Sequence, residues 1–242
     1  EISYRKRWPA GFFTGTGGFK YTSYSLEQDL RPLQVPLADA SPTRGIGYFN
    51  VDAGLYFERY LQGLGRNWLQ TLEPRVLYLR QGYADQSALP IFDTTNMPLS
   101  YSQLFRKERF VGLDRVGDAN QVTLGLSSRL LSGANGREYA SYSLGKIFYL
   151  DNARVGLRET RELGQPVFTE ALVSEFNLRF GSRWQLDSHQ IWSSESEQWQ
   201  ELGAALHYRL NQRRMVTLGA RKRLASAQYF DEAVEQIEVS TI

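Results

Sequence analysis

ERFVGLDRVGDANQVTLGLSSRLL, residues 108–131, changes character at Asn120. Before that point stand Gly112, Asp114, Arg115, Gly117 and Asp118, residue types suited to a structured loop. After it the chain alternates. Val122, Leu124, Leu126 and Leu130 fall on one parity; Gln121, Thr123, Gly125, Ser127 and Arg129 fall on the other, with Ser128 the one lapse. Successive strand residues point to opposite faces. The pattern therefore describes a strand with one apolar and one polar face, lying between two different solvents.

The same alternation recurs along the chain. At 46–61, Phe49, Val51, Ala53 and Leu55 oppose Asn50, Asp52 and Glu58. At 198–210, Leu202, Leu206 and Leu210 oppose Gly203, His207 and Arg209, and at 214–224 Val216 and Leu218 oppose Thr217, Arg221 and Arg223. Noisier strands are expected at 2–8, 11–26, 67–81, 137–150, 166–180, 184–194 and 235–242. With 119–131 that makes about eleven strands and no segment of helical period.

The connections carry a second rhythm. WPAG, QGLGRN, SGANGR, GSR and NQR are short, whereas 27–45, 82–118, 151–165 and 227–234 are longer, and SESE is intermediate. In an up-and-down meander, short and long connections that alternate lie at opposite ends of the strands. Outer-membrane barrels have this asymmetry. Soluble sandwiches also alternate, but their turns have no reason to segregate. Many of the strands run about 12 to 16 residues, more than the about 9–11 needed to span a bilayer. These features predict an all-β fold, an antiparallel transmembrane β-barrel read as one domain over 1–242. Phe49, Val51, Leu55, Val122, Leu124, Leu126, Leu206 and Leu218 are expected to face lipid. Asp52, Glu58, Thr123, Arg129, Arg209, Arg221 and Arg223 are expected to face the lumen. Tyr60, Trp68, Tyr83, Tyr149, Trp184 and Trp199 near strand ends suit interfacial girdles. QIEVSTI stops in mid-alternation and EISYRKRW starts without a turn, so the barrel is expected to be incomplete, with unpaired edges.

Composition narrows the chemistry. The formal charge of +2, spread over 28 basic and 26 acidic residues, implies no nucleic-acid partner. There is no cysteine, which removes thiol catalysis, thiolate metal sites and disulfides within this stretch, and two histidines make a histidine-built metal centre unexpected. No apolar run is long enough for a transmembrane helix. The mean hydropathy of −0.42 averages over alternating residues and hides the apolar face. Ser188 beside His189 is too little for a nucleophile and its base, and reads as a polar lumen-facing pair. Glu159, Glu162 and Glu170 read as solvated carboxylates. GTGG at 15–18 lacks the lysine and helix of a phosphate loop. RKRW at 5–8 is a basic cluster with an aromatic, suited either to anionic lipid headgroups or, at a strand end, to a plain interfacial anchor. No enzyme signature and no cofactor motif emerges.

The loop 82–118 is far longer than an ordinary connection, which points to function. It contains Phe92, Leu104, Phe105 and Phe110, enough apolar surface to pack against something. It is expected to fold over or into the barrel mouth. Asp114 and Arg115 are expected to pair locally, with Asp118 and Asn120 fixing the turn into the strand and Asn120 satisfying backbone groups there.

TLEPRVLYLRQGYADQSALPIFDT (71–94), followed by LFRKERFVGLDRVGDANQVTLGLSSRLL (104–131), strongly resembles the barrel of the LptD family of outer-membrane lipopolysaccharide-assembly proteins. SLGKIFYL at 143–150 continues the likeness, and Val116 stands where isoleucine is common. The resemblance implies a very large barrel in the bacterial outer membrane, plugged by the lipoprotein LptE and fed through an N-terminal periplasmic jellyroll that joins the lipopolysaccharide-transport bridge. It implies lipopolysaccharide as cargo and outer-membrane lipid as surroundings. This stretch corresponds to the middle of that barrel, without the jellyroll, the two closing strands or the family's cysteines. Phe105, Phe110, Asp114, Arg115, Asp118 and Asn120 are the residues expected to contact the plug or to hold the loop. A general or ligand-gated diffusion porin is the alternative reading.

Overall fold

The alternating segments fold as strands close to where they are read. The computed structural model describes residues 1–25, 41–63, 65–87, 89–156, 170–194, 196–224 and 233–241. Strands β1 (Ile2–Trp8), β2 (Gly11–Ser23), β3 (Thr43–Leu55), β4 (Phe57–Gly63) and β5 (Arg66–Gln81) precede the long loop. The loop holds β6 (Thr95–Asn96), a single 3-10 turn at Gln103–Phe105 and β7 (Phe110–Val111). Then follow β8 (Ala119–Ser132), β9 (Glu138–Tyr149), β10 (Ala171–Phe180), β11 (Trp184–Ser193), β12 (Gln198–Arg209), β13 (Met215–Arg223) and β14 (Val234–Thr241).

The main strands form one antiparallel meander in the order β1-β2-β3-β5-β8-β9-β10-β11-β12-β13-β14, with β4 also beside β5. The sheet is open, and β1 and β14 are its edges. The stretch 46–61, expected as one strand, is interrupted at Tyr56. β2 stops pairing at Leu55, where the Pro9–Ala10 turn begins, so β4 continues against β5 alone. The Tyr56 amide donates to the Ala10 carbonyl at that break. The short connections after β4, β8 and β10 each use a glycine with positive φ: Gly65 at 69°, Gly136 at 67° and Gly181 at 65°. That conformation strains other residues.

Register divides the sheet into two faces, because directly paired residues share a face. Asp52, Leu77, Thr123 and Ile147 are successive partners across β3, β5, β8 and β9. Thr123 lies under the long loop, so this is the loop face. Residues of the other parity form the bare face. It exposes Phe13, Phe49, Val76, Leu124, Leu126, Leu202, Leu218, Ile237 and Val239. The buried core sits on the loop face, where Leu77, Leu104, Phe105, Ala171, Val173 and Ile191 form one cluster.

Candidate functional site

The loop 82–118 and the face it covers are the most elaborated part of the sheet. Its tip descends at the 3-10 turn, and Leu104 (1% exposed) and Phe105 (8%) are buried against β5, β10 and β11 through Leu77, Val173 and Ile191. Two polar contacts fix the tip. The Thr123 hydroxyl donates to the Leu104 carbonyl at 3.1 Å, and the Tyr101 amide donates to Glu175 Oε1 at 2.8 Å. Gly125 and Gly145 are opposite one another in the β8–β9 register. A Cβ on Gly125 would lie 2.5 Å from the Phe105 ring, and one on Gly145 would lie 2.7 Å from Leu104. Both positions must be bare for the tip to sit so low. Arg75 stacks over the Phe105 ring at 4.2 Å while its guanidinium holds Asp52 through two hydrogen bonds of 2.9 and 2.6 Å.

The loop base is a polar knot. The Asp114 carboxylate accepts hydrogen bonds from the backbone amides of Phe92 (2.7 Å) and Asp93 (3.0 Å). Burial alone would raise its pKa; these bonds, with one from the Thr94 hydroxyl, outweigh burial and hold it below the usual carboxylate value. Arg115 donates to the carbonyls of Leu89 and Pro90. The expected local pair between the Asp114 and Arg115 side chains therefore does not form, because each is taken by backbone groups from residues 89–94. Gln86 holds Val116 by both its amide and its carbonyl, and Arg44 of β3 reaches the carbonyls of Leu113 and Asp114. Asp118 accepts from the amides of Arg154 and Val155 and from Arg109, tying this loop to the start of the next. Asn120 bonds to side chains, Asp151 at 2.6 Å and Tyr78 at 3.1 Å, and only its own carbonyl receives backbone amides, those of Leu150 and Asp151.

The residues expected on the two faces fall on them by register. Phe49, Val51, Leu55, Val122, Leu124, Leu126, Leu206 and Leu218 lie on the bare face; Asp52, Glu58, Thr123, Arg129, Arg209, Arg221 and Arg223 share the loop face. Several of the latter are engaged: Arg129 with Glu73 at 2.5 Å and Arg221 with Glu201 at 2.8 Å. Thr123 is fully buried beneath the loop, so water does not reach that position. Phe105, Phe110, Asp114, Arg115 and Asp118 are likewise buried within this chain.

Four smaller expectations change. Ser188 and His189 lie on opposite faces, since Ser188 pairs with Ala204 on the bare face; His189 Nδ1 instead meets Glu175 at 3.5 Å. Tyr149, with Ile147, and Tyr60, with Glu58, share the loop face and do not join a girdle. Tyr83 lies in the loop, 3.7 Å beneath the Arg154 guanidinium. Glu170 pairs with Lys146 at 2.6 Å, and Glu159 and Glu162 lie outside the described residues. Sequence reasoning missed one feature. Beyond the loop, the loop face opens into a polar groove of about 550 Å³ lined by Glu175, Asp187, His189, Glu201, Arg221 and Glu238. The chain's two histidines both sit on this stretch, and His207 Nε2 meets Asp187 at 3.0 Å. The shared parity of these residues on neighbouring strands was the available signal. Among the described residues no cluster of three potential metal ligands occurs.

A pattern of aromatic pairs marks the bare face near the short turns. Phe180 stacks on Trp184, which contacts Tyr208, and Trp68 meets Tyr139 edge-on at 5.0 Å.

Comparison with known proteins agrees with this architecture. The family described as "LptD: LPS transport system D" matches residues 1–242. An LPS-assembly protein LptD of Xanthomonas oryzae pv. oryzae is 38% identical over 224 residues, covering 88% of this chain and 27% of the relative. The LPS-assembly protein LptD of Pseudomonas putida is 34% identical over 248 residues, covering 95% of this chain and 26% of the relative. That of Pseudomonas aeruginosa is 34% identical, covering 92% and 26%. The chain thus spans about a quarter of the length of these relatives, and the meander is a segment of their β-barrel. With a match along its whole length and an open antiparallel sheet of two unlike faces, this chain belongs to the LptD family.

Proposed function

We propose that this chain forms part of the wall of an outer-membrane barrel that assembles lipopolysaccharide, with the bare face toward lipid and the loop face toward the lumen. The observation that carries the reading is the segregation of exposed apolar side chains onto one parity of a long-stranded meander, in a chain of this family. Such a band suits hydrocarbon, which leaves strand-to-strand pairing as the backbone's only source of hydrogen bonds. The role is passage and insertion of a glycolipid rather than catalysis. No observation here favours a general porin.

A lipoprotein plug of the LptE kind is the partner proposed for the lumen. The loop's buried side chains already have partners within the chain, so contact falls to its exposed apolar residues Phe92, Val111 and Leu113, at 58, 49 and 80% exposure. Photo-crosslinking in cells, from the full-length protein, tests both parts. Leu113 should capture the lipoprotein, Leu206 should capture only lipid, and Ala205, beside it on the open loop face, should capture no bulk phospholipid. Identical lipid adducts from Leu206 and Ala205 would defeat the two-solvent assignment.

A further inference from the structure

The two ends of the sheet treat their cations differently. At the long-loop end five are held by acids: Lys20 by Glu108, Arg80 by Asp151 at 2.7 Å, Arg109 by Asp118 at 3.2 Å, Lys146 by Glu170 and Lys222 by Glu235 at 2.8 Å. At the short-turn end stand Arg7, Arg66, Arg137, Arg183, Arg213 and Arg214, at least one beside each of the five short turns. All six are exposed. None of them forms an ion pair among the described residues, although Glu138 is adjacent in sequence to Arg137. Three lean on the bare-face aromatics instead. Arg66 donates to the Tyr139 hydroxyl at 3.2 Å, Arg137 lies 5.6 Å from the centre of that ring, and Arg183 donates to the Tyr208 hydroxyl at 3.3 Å.

We infer that this rim is a binding site for the phosphates of anionic phospholipid headgroups, in the leaflet that the short turns meet. The inference rests on the barrel-wall reading, which places those turns on the periplasmic side. Chemistry and distribution support it. A guanidinium matches phosphate geometry with parallel N–H donors, and aromatic rings at its side mark the headgroup level. The arginines recur at every short turn from β1 to β13 rather than gathering in one patch. A leaflet meets a barrel rim all the way round, whereas a docked protein would meet one sector. The acidic residues that would compete for these cations are concentrated at the other end.

The test uses the full-length protein with its lipoprotein partner in nanodiscs of equal phosphatidylglycerol and phosphatidylcholine. Co-isolated or crosslinked lipid is measured from p-benzoylphenylalanine placed at Asn135, Ser182 and Asn211, all exposed turn positions. Phosphatidylglycerol should be favoured about fivefold over phosphatidylcholine at low salt, and the preference should fall toward parity near 0.5 M salt, where the screening length is only about 4 Å. Replacing Arg66, Arg137, Arg183, Arg213 and Arg214 together by glutamine should abolish it; replacing them by lysine should keep most of it. The unsubstituted crosslinkable protein reads lipid choice directly, so the inference stays testable if the glutamine variant does not assemble. An unchanged preference in that variant would overturn the rim assignment. So would crosslinks in cells that go to a protein, or to lipopolysaccharide as readily as to phosphatidylglycerol. A protein that never enters the bilayer would instead sink the barrel-wall reading, and this inference with it.

Discussion

Phe105→Ala separates the loop's two anchorages. The ring is 8% exposed, meets Tyr101 edge-on at 5.4 Å, carries the Arg75 guanidinium on its face at 4.2 Å and rests over Gly125. Truncating a buried phenylalanine costs about 3–5 kcal/mol, and a glycine floor offers no side chain to refill the space. The base of the loop does not depend on that ring, because Asp114, Arg115, Gln86 and Arg44 hold it through hydrogen bonds to backbone and side-chain groups. Amide exchange of the full-length protein in detergent should therefore accelerate about a hundredfold or more over 99–106, as expected for a local loss of about 3 kcal/mol. Exchange over 113–118 should change less than tenfold. Equal acceleration in both segments would mean that the loop is one cooperative unit, and no change at either would mean that the tip is held by something other than this contact.

Leu206→Arg should lower the folding free energy in lipid by about 2–4 kcal/mol if that position is near the bilayer midplane, whereas Ala205→Arg, on the open part of the loop face, should cost less than about 1 kcal/mol; folding titrations of the barrel measure both. Asp114 has a depressed pKa, so its contribution is complete above the ordinary carboxylate value of 3.8 and is lost as pH falls through its lower folded value. Protease cleavage within 89–94 should accordingly appear only well below pH 4, while Asp114→Asn should show it at neutral pH with little further acid dependence. Asp118→Ala removes the acceptor for the amides of Arg154 and Val155, and should loosen 152–156 by about 1–3 kcal/mol, visible as faster exchange at those two amides with the strand β8 unaffected.

Strand positions and faces were legible because a period of two survives in nearly every segment. The departures from it have a physical origin. Leu77, Leu79, Ile147, Val173 and Ile191 occupy the polar parity, which made 67–81, 137–150, 166–180 and 184–194 noisy. Four of the five lie in or against the core beneath the loop tip. Apolar residues on the wrong parity were thus a footprint of the loop, together with the facing pair Gly125 and Gly145. The partners of Asp114 were not legible. Its acceptors serve amides about twenty residues earlier, a proximity created only by the path between β6 and β7. Tyr149 has the aromatic ring and the strand-end position of a girdle residue, but it shares the parity of Ile147, which puts it on the loop face.

The loop's footprint also bears on the order of assembly. The loop joins β5 to β8, which are hydrogen-bonded neighbours, and its apolar seat reaches only as far as β11. That apolar seat is supplied by β5, β8, β9, β10 and β11, which are adjacent in the sheet. Contacts of this kind form without waiting for distant pairings. The loop can therefore settle on its wall while the sheet is still open, so that later strand pairing meets a face already shaped on this side.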